Sequence, residues 1–239
     1  MALRSFGPIF AEVEGDRRIL ALHGWGRRGA DFGSALRGLG YVAPDLPGFG
    51  ASPAPPEAIG AEGYALALQP IVESLAPEAI LVGHSFGGRI AAVLAAAHPE
   101  RFSGVILTGV PLLKGAASSK SPLFYRLGRW AHRHSLLPEA TMERLRSRYG
   151  SHDYRSAHGV MRDVLVKAVN EQYADFLPRL KTPVILLWGA EDSEVPVAVA
   201  EKAAMAIPDA RLQVVAGAGH LLPVTHPGEL RQAVESFWR

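Results

Sequence analysis

Ser85 stands in Gly83-His84-Ser85-Phe86-Gly87, a G-x-S-x-G motif between the apolar run Ala79–Val82 and the Ala-rich stretch Phe86–Ala97. A serine hydroxyl becomes a working nucleophile only when a base takes its proton and an acid orients that base. A tight strand-to-helix turn exposes such a serine on strained backbone, and the residues two before and two after it must lack bulk. The following helix brings its positive end, and the Phe86 N–H, beside a developing oxyanion. In a chain with 25 Gly the motif alone is weak; the strand before it and the helix after it give it force.

Candidate partners lie downstream, each just past an apolar run. Pro183–Trp188 ends in Gly189-Ala190-Glu191-Asp192-Ser193-Glu194, which offers three carboxylates as the acid. Arg211–Ala216 ends in Gly217-Ala218-Gly219-His220, which offers a base. The order is serine, acid, histidine, with 107 residues from Ser85 to Asp192 and 28 from Asp192 to His220.

Short apolar runs bounded by Gly or Pro predict strands at Ile9–Glu14, Arg18–Leu22, Tyr41–Pro44, Ala79–Gly83, Gly104–Gly109, Pro183–Trp188 and Arg211–Ala216. Helical spacing predicts helices at Asp31–Leu39, Tyr64–Leu75, Phe86–Ala97, Val197–Ala206 and Pro227–Trp238. This alternation implies an α/β fold, a doubly wound and mostly parallel sheet with helices on both faces. The first two strands, joined near Gly15-Asp16, are expected to form a hairpin at an antiparallel edge.

Between Pro111 and Pro178 the alternation stops, and three or four helix signals replace it. Ser121-Pro122 opens one, Leu137-Pro138 a second that stops at Gly150, and a third runs from Gly159 to Phe176. From Pro111 to Lys181 there are 13 Lys/Arg against 6 Asp/Glu; the rest of the chain has 12 against 17. A basic helical insert on an acidic body reads as a lid: residues 1–110 and 182–239 form the core, and 111–181 the inserted cap. Phe124 and Trp130, at helical spacing in that insert, are candidate walls of an acyl pocket, although packing onto the body explains them as well.

Five landmarks in order carry a resemblance over nearly the whole chain. They are His23-Gly24-Trp25-Gly26, Asp45-Leu46-Pro47-Gly48-Phe49-Gly50-Ala51-Ser52, the Ser85 motif, Gly189-Ala190-Glu191-Asp192 and Gly219-His220. On these the chain resembles the α/β-hydrolase superfamily. The resemblance implies Ser85 as nucleophile, His220 as general base and Asp192 as its orienter. It also implies the backbone N–H groups of Trp25 and Phe86 as the oxyanion hole, and cleavage of a carboxylic ester or related acyl bond through an acyl-enzyme. The stretch Arg148–Arg162 is similar to a group of bacterial α/β-hydrolases of undetermined substrate.

Gly87-Gly88-Arg89 leaves a second chemistry open. Arg89 either pairs with a nearby carboxylate or reaches toward the pocket to bind a substrate carboxylate. The latter resembles the pyruvate-eliminating menaquinone synthase, 2-succinyl-6-hydroxy-2,4-cyclohexadiene-1-carboxylate synthase. A non-catalytic ligand sensor is the third reading.

Composition bounds the rest. With no Cys, a disulfide framework, a Cys-ligated zinc site and thiol catalysis are all excluded. No His and carboxylate set has metal-ligand spacing, so neither metal nor cofactor is expected. No apolar stretch reaches membrane-spanning length, and the N-terminus has no apolar signal region, which predicts a cytoplasmic protein. The net charge of +2 and the spread of the basic residues argue against nucleic acid. The expected partner is a small-molecule ester or acyl substrate, for which the basic insert hints at an anionic group. Oligomeric state is not legible.

Overall fold

The computed structural model describes residues 2–113 and 152–238, with positions 131, 134, 136–138, 140–142 and 144 between them. Eight strands form one sheet: β1 (Ala2–Phe6), β2 (Ile9–Glu14), β3 (Ile19–Leu22), β4 (Tyr41–Pro44), β5 (Ala79–His84), β6 (Phe102–Thr108), β7 (Val184–Gly189) and β8 (Ala210–Val215). Their spatial order is β1-β2-β4-β3-β5-β6-β7-β8. From β4 to β8 all neighbours run parallel, whereas β2 joins β1 and β4 antiparallel.

Side chains alternate across a strand, so each central strand feeds two cores. Leu20, Leu22, Leu81, Val105, Leu107, Leu186 and Trp188 share one core with Ile90 and Leu94 of α4 (Phe86–Ala97). That core also takes Tyr64 from α2 (Ala61–Ala67), Ile71 from α3 (Gln69–Glu73) and Val199 from α7 (Val197–Ala206). Ile19, Ala21, Ile80, Val82, Ile106, Ile185 and Leu187 face the other way. They pack on Leu36 of α1 (Gly33–Leu36), Leu222 of α8 (Leu222–Thr225) and Leu230 of α9 (Pro227–Glu235). Burial on both faces is why these strands are continuously apolar.

The expected hairpin is corrected. Ile9–Glu14 turns back onto Ala2–Phe6 through Gly7-Pro8, while Ile19–Leu22 lies mid-sheet, parallel to β4 and β5. Gly7, at φ +60, supplies the positive φ that a two-residue hairpin turn requires at its first position. The predicted helix Tyr64–Leu75 is two, divided at Leu68 before Pro70, which cannot donate to the preceding turn.

Between β6 and β7 the described residues include α5 (His152–Ser156) and α6 (Val160–Asn170). Val164 and Ala168 of α6 bury themselves in the first core. Phe124, Trp130 and the helix signal at Ser121-Pro122 lie outside the described residues. So does most of the stretch from Leu137 to Gly150. Because β3 to β8 are parallel, the chain leaves each of them at one edge of the sheet, where α/β folds bind ligands.

Candidate active site

Ser85 leaves β5 at that edge with φ 49 and ψ −111, a backbone state that costs a non-glycine residue about 1–3 kcal/mol. Its surroundings hold it there. Ser85 N–H donates to Thr108 O (2.9 Å), Gly87 N–H to His23 O (3.0 Å) and Gly88 N–H to Ser85 O (3.1 Å). The glycines are needed for close approach: a Cβ at Gly87 would stand 2.2 Å from Leu22 O. A Cβ at Gly24 would lie 2.8 Å from His84 Nδ1 and 3.3 Å from Ser85 Cβ, so the loop after β3 reaches the serine only as glycine.

On one side of Ser85 is a hydrogen-bonded acid and base. His220 Nδ1 and Asp192 Oδ2 are 2.8 Å apart, and the Asp192 side chain is buried. Asp192 Oδ1 accepts from the N–H of Glu194 (2.9 Å) and of Val195 (2.8 Å). With both oxygens engaged, the carboxylate cannot turn. The two loops are stitched together by Ala190 N–H to Val215 O and Glu191 N–H to Ala218 O, each 2.9 Å. Trp188 Nε1–H, donating to Val195 O at 2.8 Å, ties the acid loop to the core.

Burial disfavours a charged His220, yet its hydrogen bond to Asp192 and the negative charges of Asp192, Glu194 and Asp153 outweigh it and raise its pKa. Asp192 thus holds Nδ1–H, which leaves Nε2 as the ring nitrogen turned away from Asp192. Glu194, two-thirds exposed, brings its carboxylate to 3.5 Å from Nε2. Of the three carboxylates open in the sequence, Asp192 holds Nδ1 and Glu194 faces Nε2.

His84 and His23 are buried and neutral. Burial, then the nearby His220, pushes His84 down to about 3; its Nε2–H donates to His220 O at 2.9 Å. Burial pushes His23 down to about 4; its Nε2 accepts from Leu46 N–H (2.9 Å) and its Nδ1–H donates to Gly24 O (2.7 Å). Neither has the pKa of a proton shuttle near neutrality. Both position loops.

On the other side of Ser85 lies an aromatic cluster. The rings of Trp25 and Phe86 meet edge-to-face at 5.4 Å, and Phe49 packs on Trp25 at 4.9 Å. Among the described residues, no acceptor takes the N–H of Trp25 or Phe86. A cavity of about 260 Å³ opens here, lined by Trp25, Gly48, Phe49, Ala157, His158 and Met161 among others. Phe49 stands in the Asp45–Ser52 landmark and Met161 in the Arg148–Arg162 stretch, but neither stretch tells which of its residues walls a cavity.

Arg89 does not line that cavity. Its Nη1–H donates to Ala168 O at 2.6 Å, and its guanidinium lies 5.6 Å from the centre of the Tyr173 ring.

The model of the alpha/beta hydrolase family matches residues 19–233. The chain is a member of the alpha/beta hydrolase family. This hydrolase is 28% identical to a pimeloyl-acyl-carrier-protein methyl ester esterase of Serratia marcescens, over 94% of either chain. It is 30% identical to the esterase of that name from Aromatoleum aromaticum, over 92% of this chain and 98% of the relative. Among solved structures, a bromoperoxidase from Bacillus anthracis superposes with a TM-score of 0.74 at 19% identity, over 96% of the hydrolase and 95% of that chain. The structural likeness speaks for the fold; the esterase relatives support an ester-cleaving enzyme. Among the described residues, no helix of the hydrolase is long and apolar enough to cross a membrane.

Proposed function

We propose that the chain is a serine esterase, with Ser85 as nucleophile, His220 as general base and acid, and Asp192 as the orienting acid. The observation that carries this is the His220–Asp192 pair, 2.8 Å apart and fixed by two further main-chain donors, with His220 O bonded to His84, the chain neighbour of the strained Ser85. His220 Nε2 takes the hydroxyl proton as Ser85 Oγ attacks the ester carbonyl. The Trp25 and Phe86 N–H groups stabilise the oxyanion, helped by the positive end of α4. Collapse expels the alcohol, which takes the proton from Nε2 and leaves Ser85 acylated. Water, deprotonated by the same Nε2, then frees the acid.

Substitution Ser85→Ala is expected to lower turnover of p-nitrophenyl acetate by about 10³-fold or more with the fold intact. Unchanged turnover would remove the assignment. Residues 111–181 we read as a cap over the site. Its 13 Lys/Arg against 6 Asp/Glu favour a more specific second reading, an ester on an anionic carrier such as the acyl-carrier protein named for the two esterase relatives. Saturable inhibition of ester turnover by an acidic carrier protein, relieved by salt, is expected on that reading. The lyase alternative rested on Arg89 reaching a substrate carboxylate, and its bond to Ala168 offers that no support.

A further inference from the structure

Arg89 lies one turn beyond Ser85 on α4, and its Nε is sealed from solvent with no partner among the described residues. An arginine in such a place needs a compensating structure, and the insert provides it. Ala168 O belongs to the last turn of α6, the negative end of that helix, and receives Nη1–H at 2.6 Å. Tyr173, under the guanidinium, donates its hydroxyl to the Glu171 carboxylate, which also takes the Ala61 N–H at 3.1 Å at the start of α2. Lys167 Nζ adds a bond to Ala58 O at 3.3 Å. The carboxyl end of α6 is thus fixed to the nucleophile helix and to α2.

The opposite end of α6 reaches the cavity. Met161 lines it, and packs so closely on the loop after β4 that a Cβ at Gly48 would stand 2.2 Å from its Sδ. From Ala168 to Met161 the helix is unbroken, a rigid span of about 10 Å at 1.5 Å per residue. A shift at one end must appear at the other.

We propose that Arg89 is a specificity-determining strut: it holds α6 from the nucleophile helix, and so fixes how closely Met161 closes the cavity beside Trp25 and Phe49. Its effect is on which acyl chains fit, and it touches neither the proton path nor the oxyanion donors. The proposal rests on the esterase reading for its assay. It assigns to the wild-type cavity a preference for short acyl chains, because Met161, packed against Gly48, narrows it.

The test is a p-nitrophenyl ester series from acetate to octanoate, run on the wild type, Arg89→Met, Arg89→Lys and Tyr173→Phe. For Arg89→Met, the ratio of kcat/KM on octanoate to that on acetate is expected to rise about tenfold, the worth of one methylene in a pocket. Arg89→Lys, which keeps a donor and the charge, restores most of the wild-type ratio. Tyr173→Phe moves the ratio the same way by less, and serves where Arg89→Met does not fold. A ratio unchanged in Tyr173→Phe and in every folded Arg89 variant overturns the proposal. If Ser85→Ala retains full turnover, the esterase reading fails first, and the two failures are told apart.

Discussion

The two sides of Ser85 are built differently. Toward β7 and β8, side chains and main chain are joined by directional hydrogen bonds: His220 to Asp192, Asp192 to two amides, His84 to His220 O. Toward Trp25, Phe49 and Met161, contacts are edge-on rings and a thioether, and the parts are held from a distance by Arg89. Proton transfer tolerates little misplacement, so its side is over-determined. An apolar cavity discriminates weakly and by shape, so packing suffices there.

The largest contrast comes from Asp192→Asn on the hydrogen-bonded side. It keeps the size of the side chain but loses the carboxylate that selects the His220 tautomer and balances its charge. Ester turnover is expected to fall by about 10³-fold or more on every chain length alike. A loss confined to long esters would erase the distinction between the sides. Arg89→Met is the intermediate case, with its effect in the chain-length ratio.

The smallest effect is expected from Glu194→Gln, and it appears in pH dependence. His220 must be neutral to accept the Ser85 proton, so kcat/KM rises with pH through its raised pKa. Removing the Glu194 charge, 3.5 Å from Nε2, makes the imidazolium less stable and lowers that midpoint. Asp192 and Asp153 still hold the pKa up in the variant. A pH–rate profile of the variant that overlays the wild type would mean that Glu194 does not act on His220.

The same division governs what the sequence disclosed. Phe86–Ala97 and Val197–Ala206 form helices between the expected residues, because an apolar stripe and its punctuation are local signals. That Ser85, Asp192 and His220 each follow a strand end is legible because Gly marks those ends. Ala2–Phe6 escaped notice since this edge strand is mostly exposed and has no apolar face to betray it. Gly15-Asp16 has the residues of a hairpin turn, but Gly7-Pro8 makes it. Arg89 to Ala168 spans 79 residues, a pairing that no spacing rule supplies. Neither the facing of Glu194 onto Nε2 nor the wall made by Met161 could be read without packing.

The most direct test of Ser85 as an activated nucleophile is labelling of the intact protein with a fluorophosphonate, followed by peptide mass spectrometry. A single adduct on Ser85 is expected, absent from Ser85→Ala and formed far more slowly by Asp192→Asn. An adduct on another residue, or equal labelling in Ser85→Ala, would contradict the assignment of the catalytic serine.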